Sequence, residues 1–374
     1  MLFRSPVVIR YRLRGEARTR THRVLFTAAR QEVRLPGRGA LLWAYPNVEE
    51  TGLYRVALDS ALLAAVSKDY RKLAEVERAG LLNHLWARVR SGEVPVGVFL
   101  DTLYAMRDET SRMVLEDASA YLRRLESLIG EADRPAFAKA VNAFFGPHWK
   151  RLGWAARKSE GDDARLSRAA VLSALAAAPS PALGAEAERK LNRYLEDPTS
   201  IEPALAGPLL EMGARLGGPE RFEEYRRRMV AATTPEQRDL LMGALADFRQ
   251  PEFAGRLIDI TLSDQVRGQD VWKPLTRLLD NPATQGEAWK LIRQRWPEIR
   301  EKGGPKGATR VIEGLAGLAR PEWLEEIRAF FAHPANQEPS AARSLDQTLE
   351  AIELGIQLRE KQAKPLSDRL RSRK

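Results

Sequence analysis

The spacing of apolar residues changes near Asp59 and divides this 374-residue sequence into two unequal parts. Before Asp59, apolar residues tend to recur at every second position, which is typical of β-strands with one buried face. After it they recur about every 3.6 residues, as on one face of a helix. The sequence therefore predicts a small β module over residues 1–59 and a mostly α-helical domain over residues 60–374.

Five segments of the first part are candidate strands. The clearest covers residues 7–14, where Ile9, Tyr11 and Leu13 alternate with arginines, so that the arginines share one face. Four shorter candidates follow, at residues 23–27, 32–35, 40–45 and 53–58. Together they make an all-β module that is small for a free-standing sandwich.

The second part alternates helical periodicity with glycine and proline at short intervals. Helices of roughly 10–20 residues joined by short turns predict stacked helical hairpins, in an irregular α-solenoid of the HEAT or armadillo kind. No repeat of fixed length is present. Turns are expected at Gly146-Pro147, which would place His148 in a turn, and at the glycine-rich residues 303–307.

The formal net charge of +10 is concentrated at the two ends of the chain. Residues 1–59 carry a net charge of +6 and residues 355–374 a net charge of +5, so the remainder is close to neutral. A nucleic-acid-binding domain usually carries its basic excess on the folded surface that reads the nucleic acid. We therefore favour solvated arginines over nucleic-acid binding, both in the β module and in a frayed C-terminal tail. The basic residues of that tail are Arg369, Arg371, Arg373 and Lys374.

Recognisable catalytic motifs are missing from the sequence. There is no cysteine, no G-x-S-x-G motif, and the four histidines are too far apart for an H-E-x-x-H zinc helix. We therefore expect no metal site and no catalytic residue in this chain. No apolar run approaches the roughly 20 residues that cross a bilayer, and the N-terminus does not resemble a signal peptide. A cytoplasmic protein without membrane contact is expected, and the preference for arginine over lysine indicates a bacterial source.

Residues 43–59 (W-A-Y-P-N-V-E-E-T-G-L-Y-R-V-A-L-D) resemble a signature of the aminopeptidase N family of zinc metallopeptidases. This family includes the puromycin-sensitive and endoplasmic-reticulum aminopeptidases. The matching residues are Trp43, Asn47, Gly52, Tyr54, Arg55 and Asp59. Further strings similar to the family follow in the family's order at residues 77–83, 152–168, 266–270, 281–296 and 348–352, with Asn83 in place of an aspartate. Each string is weak alone, but together they extend over nearly the whole chain.

The resemblance implies that the chain holds the last two of the family's four parts, a partial β-sandwich and a helical C-terminal domain. The zinc-binding motif and the GAMEN motif that anchors the substrate belong to a catalytic domain, and neither occurs here. On this basis the chain is non-catalytic and holds no cofactor, and zinc is bound by a catalytic domain on the same or a separate chain. An incomplete sandwich would leave an unpaired strand edge and an uncovered apolar face, which predicts a partner chain or aggregation.

The resemblance also implies that the helical domain forms a lid over a cavity that admits peptides. Arg267, Gln269 and Asp270 are the candidates for cavity-facing residues, because arginine can bind a peptide carboxylate through two parallel hydrogen bonds. An ion pair between Arg267 and Asp270, three residues apart, is an alternative explanation of the same residues. Tyr54 and Arg55 are expected to hold the β module to the first helices. The alternative function is a stand-alone α-solenoid scaffold for protein–protein contacts.

Overall fold

A computed structural model describes residues 4–158 and 160–372 of the chain. Within these residues one sheet is present, made of β1 (Ser5–Leu13), β2 (Arg20–Phe26) and β3 (Leu41–Tyr45) in the order β2-β1-β3. Both pairings are antiparallel, with Val7 opposite Val24 on one side of β1 and Arg10 opposite Tyr45 on the other. The expected partial sandwich is therefore represented, in the described residues, by a single three-stranded sheet.

The remainder is mostly helical, as the apolar periodicity predicts. The sixteen α-helices of the described residues are α1 (Ser60–Lys68), α2 (Glu75–Ser91), α3 (Val96–Ala105), α4 (Arg112–Glu126), α5 (Arg134–Leu152), α6 (Asp162–Ala177), α7 (Pro181–Glu196), α8 (Pro203–Leu216), α9 (Pro219–Ala231), α10 (Pro235–Leu245), α11 (Glu252–Leu262), α12 (Trp272–Asp280), α13 (Gln285–Gln294), α14 (Trp296–Gly314), α15 (Pro321–Ala332) and α16 (Ala342–Ser372). Of the helices described, none alone has the length and apolarity to cross a membrane, although α6 and α7 pass that test together across a bend of 114°.

One face of the sheet is apolar and is covered by the loop between β2 and β3. Val7, Ile9, Tyr11 and Leu13 are all buried on this face. The loop residues that pack on them include Val33 and Leu35, and the Tyr11 hydroxyl donates to the carbonyl of Pro36 at 2.7 Å. The expectation of an uncovered face is therefore wrong for this side of the sheet. The predicted strand at 32–35 is wrong as well, because the segment lies over the sheet without pairing to a neighbouring strand.

The opposite face of the sheet carries the alternating arginines and lies partly against the helical domain. Arg10 Nε donates to Glu77 Oε1 in α2 at 2.9 Å. Arg12 forms an ion pair with Asp69, which also accepts a hydrogen bond from Trp43 Nε1 at 2.8 Å. These two arginines are therefore interdomain contacts, not the solvated residues that we expected.

The helices pack in a regular order that the sequence does not reveal. The even-numbered helices form one row, with α2 against α4, α4 against α6, and so on through α14 and α16. The last helix, α16, also packs against α2, α3 and α5, so that the end of the row returns to its beginning. In an open solenoid each repeat contacts only its neighbours along the chain. The predicted solenoid is therefore not confirmed as such, although the stacking of successive helices is clear.

Of two predicted turns, one lies inside a helix and the other coincides with a helix break. Helix α5 continues through Gly146 and Pro147 to Leu152, so His148 is a buried helical residue and its assignment to a turn is wrong. The glycine-rich residues 303–307 lie within the bounds of α14, but Gly304 has a non-helical backbone with φ 62° and ψ −174°, so two helical segments meet there at a bend and the expected break is present. A bend of this kind needs a glycine, since residues with a side chain rarely adopt that conformation.

The C-terminal tail, expected to be frayed, is helical as far as Ser372 and is attached to the first helices. Gln362 Nε2 donates to the carbonyls of Val89 and Val94 at 2.8 and 3.0 Å, and its Oε1 accepts from the amide of Val96 at 2.8 Å. Arg369 pairs with Asp101 and Arg371 with Asp133. The predicted tail also included Arg373 and Lys374, which lie outside the described residues. The error arose because these arginines have partners that are more than two hundred residues away in sequence.

Replacing Gln362 with leucine should lower the free energy of unfolding by about 2 to 4 kcal/mol, because buried peptide groups at Val94 and Val96 lose their hydrogen-bond partner. Urea unfolding of the full chain measures the change. The control is Gln357→Leu, an exposed position on the same helix, which should change the value by about 0.5 kcal/mol or less. Equal effects of the two substitutions would contradict this account of how α16 is held.

Candidate functional site

The residues of the family-like signature lie at the junction between the sheet and the helices. Asn47 is buried, donates through Nδ2 to the carbonyl of Gly52 at 3.2 Å, and accepts from the Gly52 amide at 2.8 Å. The Tyr54 hydroxyl donates to the carbonyl of Pro46 at 2.7 Å, and its ring contacts both apolar cores. Asp59 accepts from the Leu62 amide at 2.8 Å and so caps the start of α1.

The predicted strand at residues 53–58 is wrong, although its alternation is real. Val56 and Leu58 are buried and their neighbours are exposed, yet the segment pairs with no strand among the described residues. Its contacts are made instead by side chains of α2. Arg55 donates to Asn83 Oδ1, and Arg88 donates to the carbonyl of Leu58 at 2.9 Å.

Two residues of the junction, Glu49 and Glu50, have positive φ values of 55° and 53°. This conformation costs a residue with a side chain on the order of 1–2 kcal/mol. The Glu50 carboxylate accepts hydrogen bonds from the Tyr45 hydroxyl and from Asn47 Nδ2, and lies 2.9 Å from His84 Nε2. Burial, followed by the hydrogen bond to Glu50, raises the pKa of Tyr45, which therefore stays a donor. These contacts offset the backbone strain.

A glycine of α2 provides the space for Glu50. A β-carbon added at Gly80 would overlap the carboxyl carbon of Glu50. Nearby in α2, the fully buried Glu77 accepts from Arg10 Nε at 2.9 Å, the Glu49 amide at 3.1 Å and the Ala74 amide at 2.8 Å. The junction is therefore a network that joins sheet, loop and helix, and its groups are used in structural contacts.

The two ends of the family-like string at residues 152–168 meet in space. Arg168, which is fully buried in the second turn of α6, donates through Nε to the carbonyls of Leu152 and Gly153 at 3.3 and 3.0 Å. It also pairs with Glu160. The guanidinium thus binds the carbonyl groups at the end of α5 and closes the turn between α5 and α6.

The three candidate cavity residues lie in the segment between α11 and α12. Gln269 lines a groove of about 670 Å³ that is bordered by the glycine-rich bend of α14. Arg267, just before it, is exposed and has no ion pair among the described residues. Asp270 pairs with Lys273 at 2.9 Å. The alternative explanation, an ion pair between Arg267 and Asp270, is therefore wrong.

The groove adjoins a second hollow of about 440 Å³, with Trp272 and Lys273 lining both. The helical residues that line the second hollow come from α4, α8, α10 and α12, all members of the even-numbered row. They include Arg123, Arg215 and Arg277. The hollow is therefore a charged concavity on that row.

Buried ion pairs form the wall of this hollow. Arg215 Nη1 lies 2.8 Å from Glu126 Oε1, and its Nε lies 3.0 Å from Glu211 Oε1. Arg123 reaches the same oxygen of Glu211 at 2.9 Å. Arg277 binds Asp247 through two hydrogen bonds of 3.1 and 2.8 Å. The i, i+4 spacing of Glu211 and Arg215 is the single clue to this network in the sequence; the other pairs are long-range.

Burial and charge set the protonation of the wall. Burial alone would raise the pKa of Glu126, but the charge of Arg215 and of the arginines beside it lowers that pKa overall. Burial raises the pKa of Asp247, and the neighbouring Glu211 acts in the same direction. Burial also raises the pKa of Asp280, which lines the hollow without an ion pair in the described part of the chain. The hollow therefore becomes more positive as pH falls.

The side chains of the described residues do not form a zinc site. His84 is hydrogen-bonded to Glu50, and the ring of His148 contacts the rings of Phe144 and Phe145. Within residues 4–158 and 160–372, no three histidine, aspartate or glutamate side chains are close enough together to hold a metal ion. No chemical step that uses a metal is assigned to these residues.

Comparison with known proteins links these features to one family. The family described as "ERAP1-like C-terminal domain" matches residues 43–354. Aminopeptidase M1 of Arabidopsis thaliana is 24% identical over 331 residues, which are 84% of this chain and 37% of that protein. Aminopeptidase M1-A of Oryza sativa subsp. japonica is 24% identical, over 90% of this chain and 40% of its own length. The puromycin-sensitive aminopeptidase of Caenorhabditis elegans is 25% identical, over 90% and 37% respectively.

The chain spans about two fifths of the length of the curated relatives it matches. The resemblance found in the sequence is confirmed by these matches. The relatives named here are all eukaryotic, so they do not support the bacterial source that we expected.

Replacing Gly80 with alanine should destabilise the fold by about 2 kcal/mol, because the new methyl group displaces Glu50 from Tyr45 and His84. Thermal and urea unfolding measure the change. The control is Gly146→Ala, inside α5, where a β-carbon meets no atom within 4 Å. This control should be neutral or stabilising by up to about 1 kcal/mol, since alanine favours helix. If both substitutions stabilise the protein, Gly80 is not needed for the junction.

Proposed function

Because this chain belongs to the family of ERAP1-like C-terminal domains, we propose that it is the non-catalytic C-terminal part of a zinc aminopeptidase. Its helical domain serves as the lid over a peptide cavity, and the zinc site is supplied by a catalytic domain on the same or a separate chain. The intact enzyme would remove residues from the N-termini of peptides.

The extent of the match carries this proposal. The relatives are named aminopeptidases, and the matched region is about two fifths of each.

The arrangement of the helices supports the lid role. We propose that the even-numbered row forms a curved array, with the charged hollow on its substrate-facing side. The side chains of Arg123 and Arg277 stay partly exposed while they bind Glu211 and Asp247. A wall that holds charges of both signs in fixed positions suits a peptide, which carries charged ends and polar amides.

Arg267 and Gln269 are the proposed peptide-contacting residues: Gln269 lines the neighbouring groove, and Arg267 precedes it by two positions in the chain. Arg267 is exposed and unpaired within the described residues, so its guanidinium is available to a peptide carboxylate. Gln269 lies beside it and lines the groove. Asp270 has a different role, because its pairing with Lys273 fixes the short helical turn at residues 268–270.

The purified chain should bind no stoichiometric zinc and cleave no aminoacyl reporter substrate. Metal analysis and a fluorogenic aminopeptidase assay measure these two properties. Cleavage that survives further purification and is abolished by a chelator would show that the chain is an enzyme by itself.

A fluorescent peptide with a free C-terminus should bind the chain, and Arg267→Ala should weaken binding about tenfold, or ~1.4 kcal/mol. The matched control is Arg343→Ala, another exposed arginine without an ion pair among the described residues. A C-terminally amidated peptide should bind wild type and Arg267→Ala with equal affinity. Absence of peptide binding to the wild-type chain would favour the alternative of a protein-interaction scaffold.

A further inference from the structure

The outer edge of β2 is open. Within the described residues β2 pairs with β1 alone, over seven consecutive residue pairs and without a bulge. A single side chain bonds to one end of the free edge, where Gln31 Nε2 donates to the carbonyl of Leu25 at 3.2 Å. The other edge strand of the sheet, β3, differs from β2 because α1 packs against it. Unpaired strand edges are ready templates for another extended chain.

The charge around this edge is strongly positive and is not neutralised. Residues 4–40 contain ten arginines and two glutamates. Arg10 and Arg12 are used by the helices, and Arg20 pairs with Glu16. The other seven have no ion pair among the described residues, and all are exposed: Arg4, Arg14, Arg18, Arg23, Arg30, Arg34 and Arg38.

Part of the sheet beside this edge is also left uncovered by the helices. Arg23 and Leu25 share a face with Val8 and Pro6, since Val8 is opposite Arg23 and Pro6 is opposite Leu25. The helices cover the other end of this face, at Arg10 and Arg12. Leu25 is 47% exposed, so an apolar contact remains available next to an unpaired cation.

From these three observations we propose that the edge of β2 binds an extended, acidic polypeptide segment of another protein, which adds to the sheet as a fourth strand. Backbone hydrogen bonds to β2 supply affinity, as in other cases of strand addition. Arg23, with Arg18 and Arg30 near the two ends of the strand, selects for carboxylates by charge.

The same observations favour this partner over two others. A second copy of the chain, pairing β2 with β2 antiparallel about Arg23, would place Arg23 opposite its own counterpart, and like charges directly opposite each other in a strand pair are destabilising. A nucleic acid could neutralise the arginines, but it would not satisfy the row of backbone donors and acceptors along the edge. A polypeptide strand satisfies both features.

The faces of the sheet specify the pattern of the added strand. In the added strand, the residues that pair beside Arg23 and Leu25 face the arginine side of the sheet and should include glutamate or aspartate. The alternate residues of the added strand face the apolar side of the sheet and should be β-branched. On that side Val24 and Phe26 already pack on the core formed by β1. An alternating sequence of glutamate and valine therefore has the expected chemistry.

The test uses the full chain and a fluorescein-labelled peptide of three Glu-Val repeats, with binding measured by fluorescence anisotropy. We expect saturable binding that Arg23→Glu weakens by about tenfold or more. The matched control is Arg189→Glu, an exposed arginine of α7 without an ion pair in the described part of the chain, which should leave affinity within about twofold. Circular dichroism checks that both variants are folded. Hydrogen exchange followed by mass spectrometry should show slower exchange in residues 20–26 when the peptide is added.

Four results would overturn the proposal. The first is no binding of the Glu-Val peptide. The second is a lack of charge selectivity, seen either as equal binding of a Lys-Val peptide or as an affinity of Arg23→Glu for the Glu-Val peptide equal to that of the wild-type chain. The third is a single-stranded oligothymidylate that binds more tightly and displaces the peptide, which would assign the arginines to nucleic acid. The fourth is dimerisation in sedimentation experiments that Arg23→Glu abolishes, which would assign the edge to a second copy. None of these results depends on the peptide cavity, because Arg267 lies in the helical domain.

Discussion

The buried carboxylate of Glu77 holds the sheet and the helical domain together. Its side chain is fully excluded from solvent and has three donors, one each from β1, from the junction loop and from the start of α2. Burying a charge is unfavourable unless it is paired and fully hydrogen-bonded, so all three segments must be in place at once. That requirement fixes the sheet against α2, keeps Glu49 and Glu50 in their strained conformation, and brings Glu50 to the gap left by Gly80.

Much of the fold follows from the sequence, and the errors in the β module have one physical cause. Alternating apolar residues indicate which side chains share a buried face, but they do not identify what covers that face. Residues 32–35 and 53–58 alternate as a strand does, yet the first lies over the sheet and the second is bound by side chains of α2. The arginines at 10 and 12 do share a face, as predicted, but that face meets Glu77 and Asp69.

The candidate site could be predicted only in part. The family-like strings locate the junction and the segment around Arg267, because both are contiguous in sequence. The charged wall of the hollow depends on partners such as Arg215 and Glu126, which are 89 residues apart. Such pairs leave no periodic signal. The excess of arginines in the β module is evident from the sequence. The kind of partner that these arginines can select is indicated only by the open edge of β2 in the structure.

The attachment of α16 to the first helices has a consequence for how the protein is made. Gln362 and Val89 are separated by 273 residues, and a ribosome adds about 5–20 residues per second. The N-terminal helices therefore wait on the order of 15 to 50 seconds for the side chain that completes the hydrogen bonds of the α2–α3 turn. During synthesis the row of helices remains open, and it can close only when the last helix has left the ribosome. A chaperone that shields the exposed ends of α2 and α3 would act in that interval.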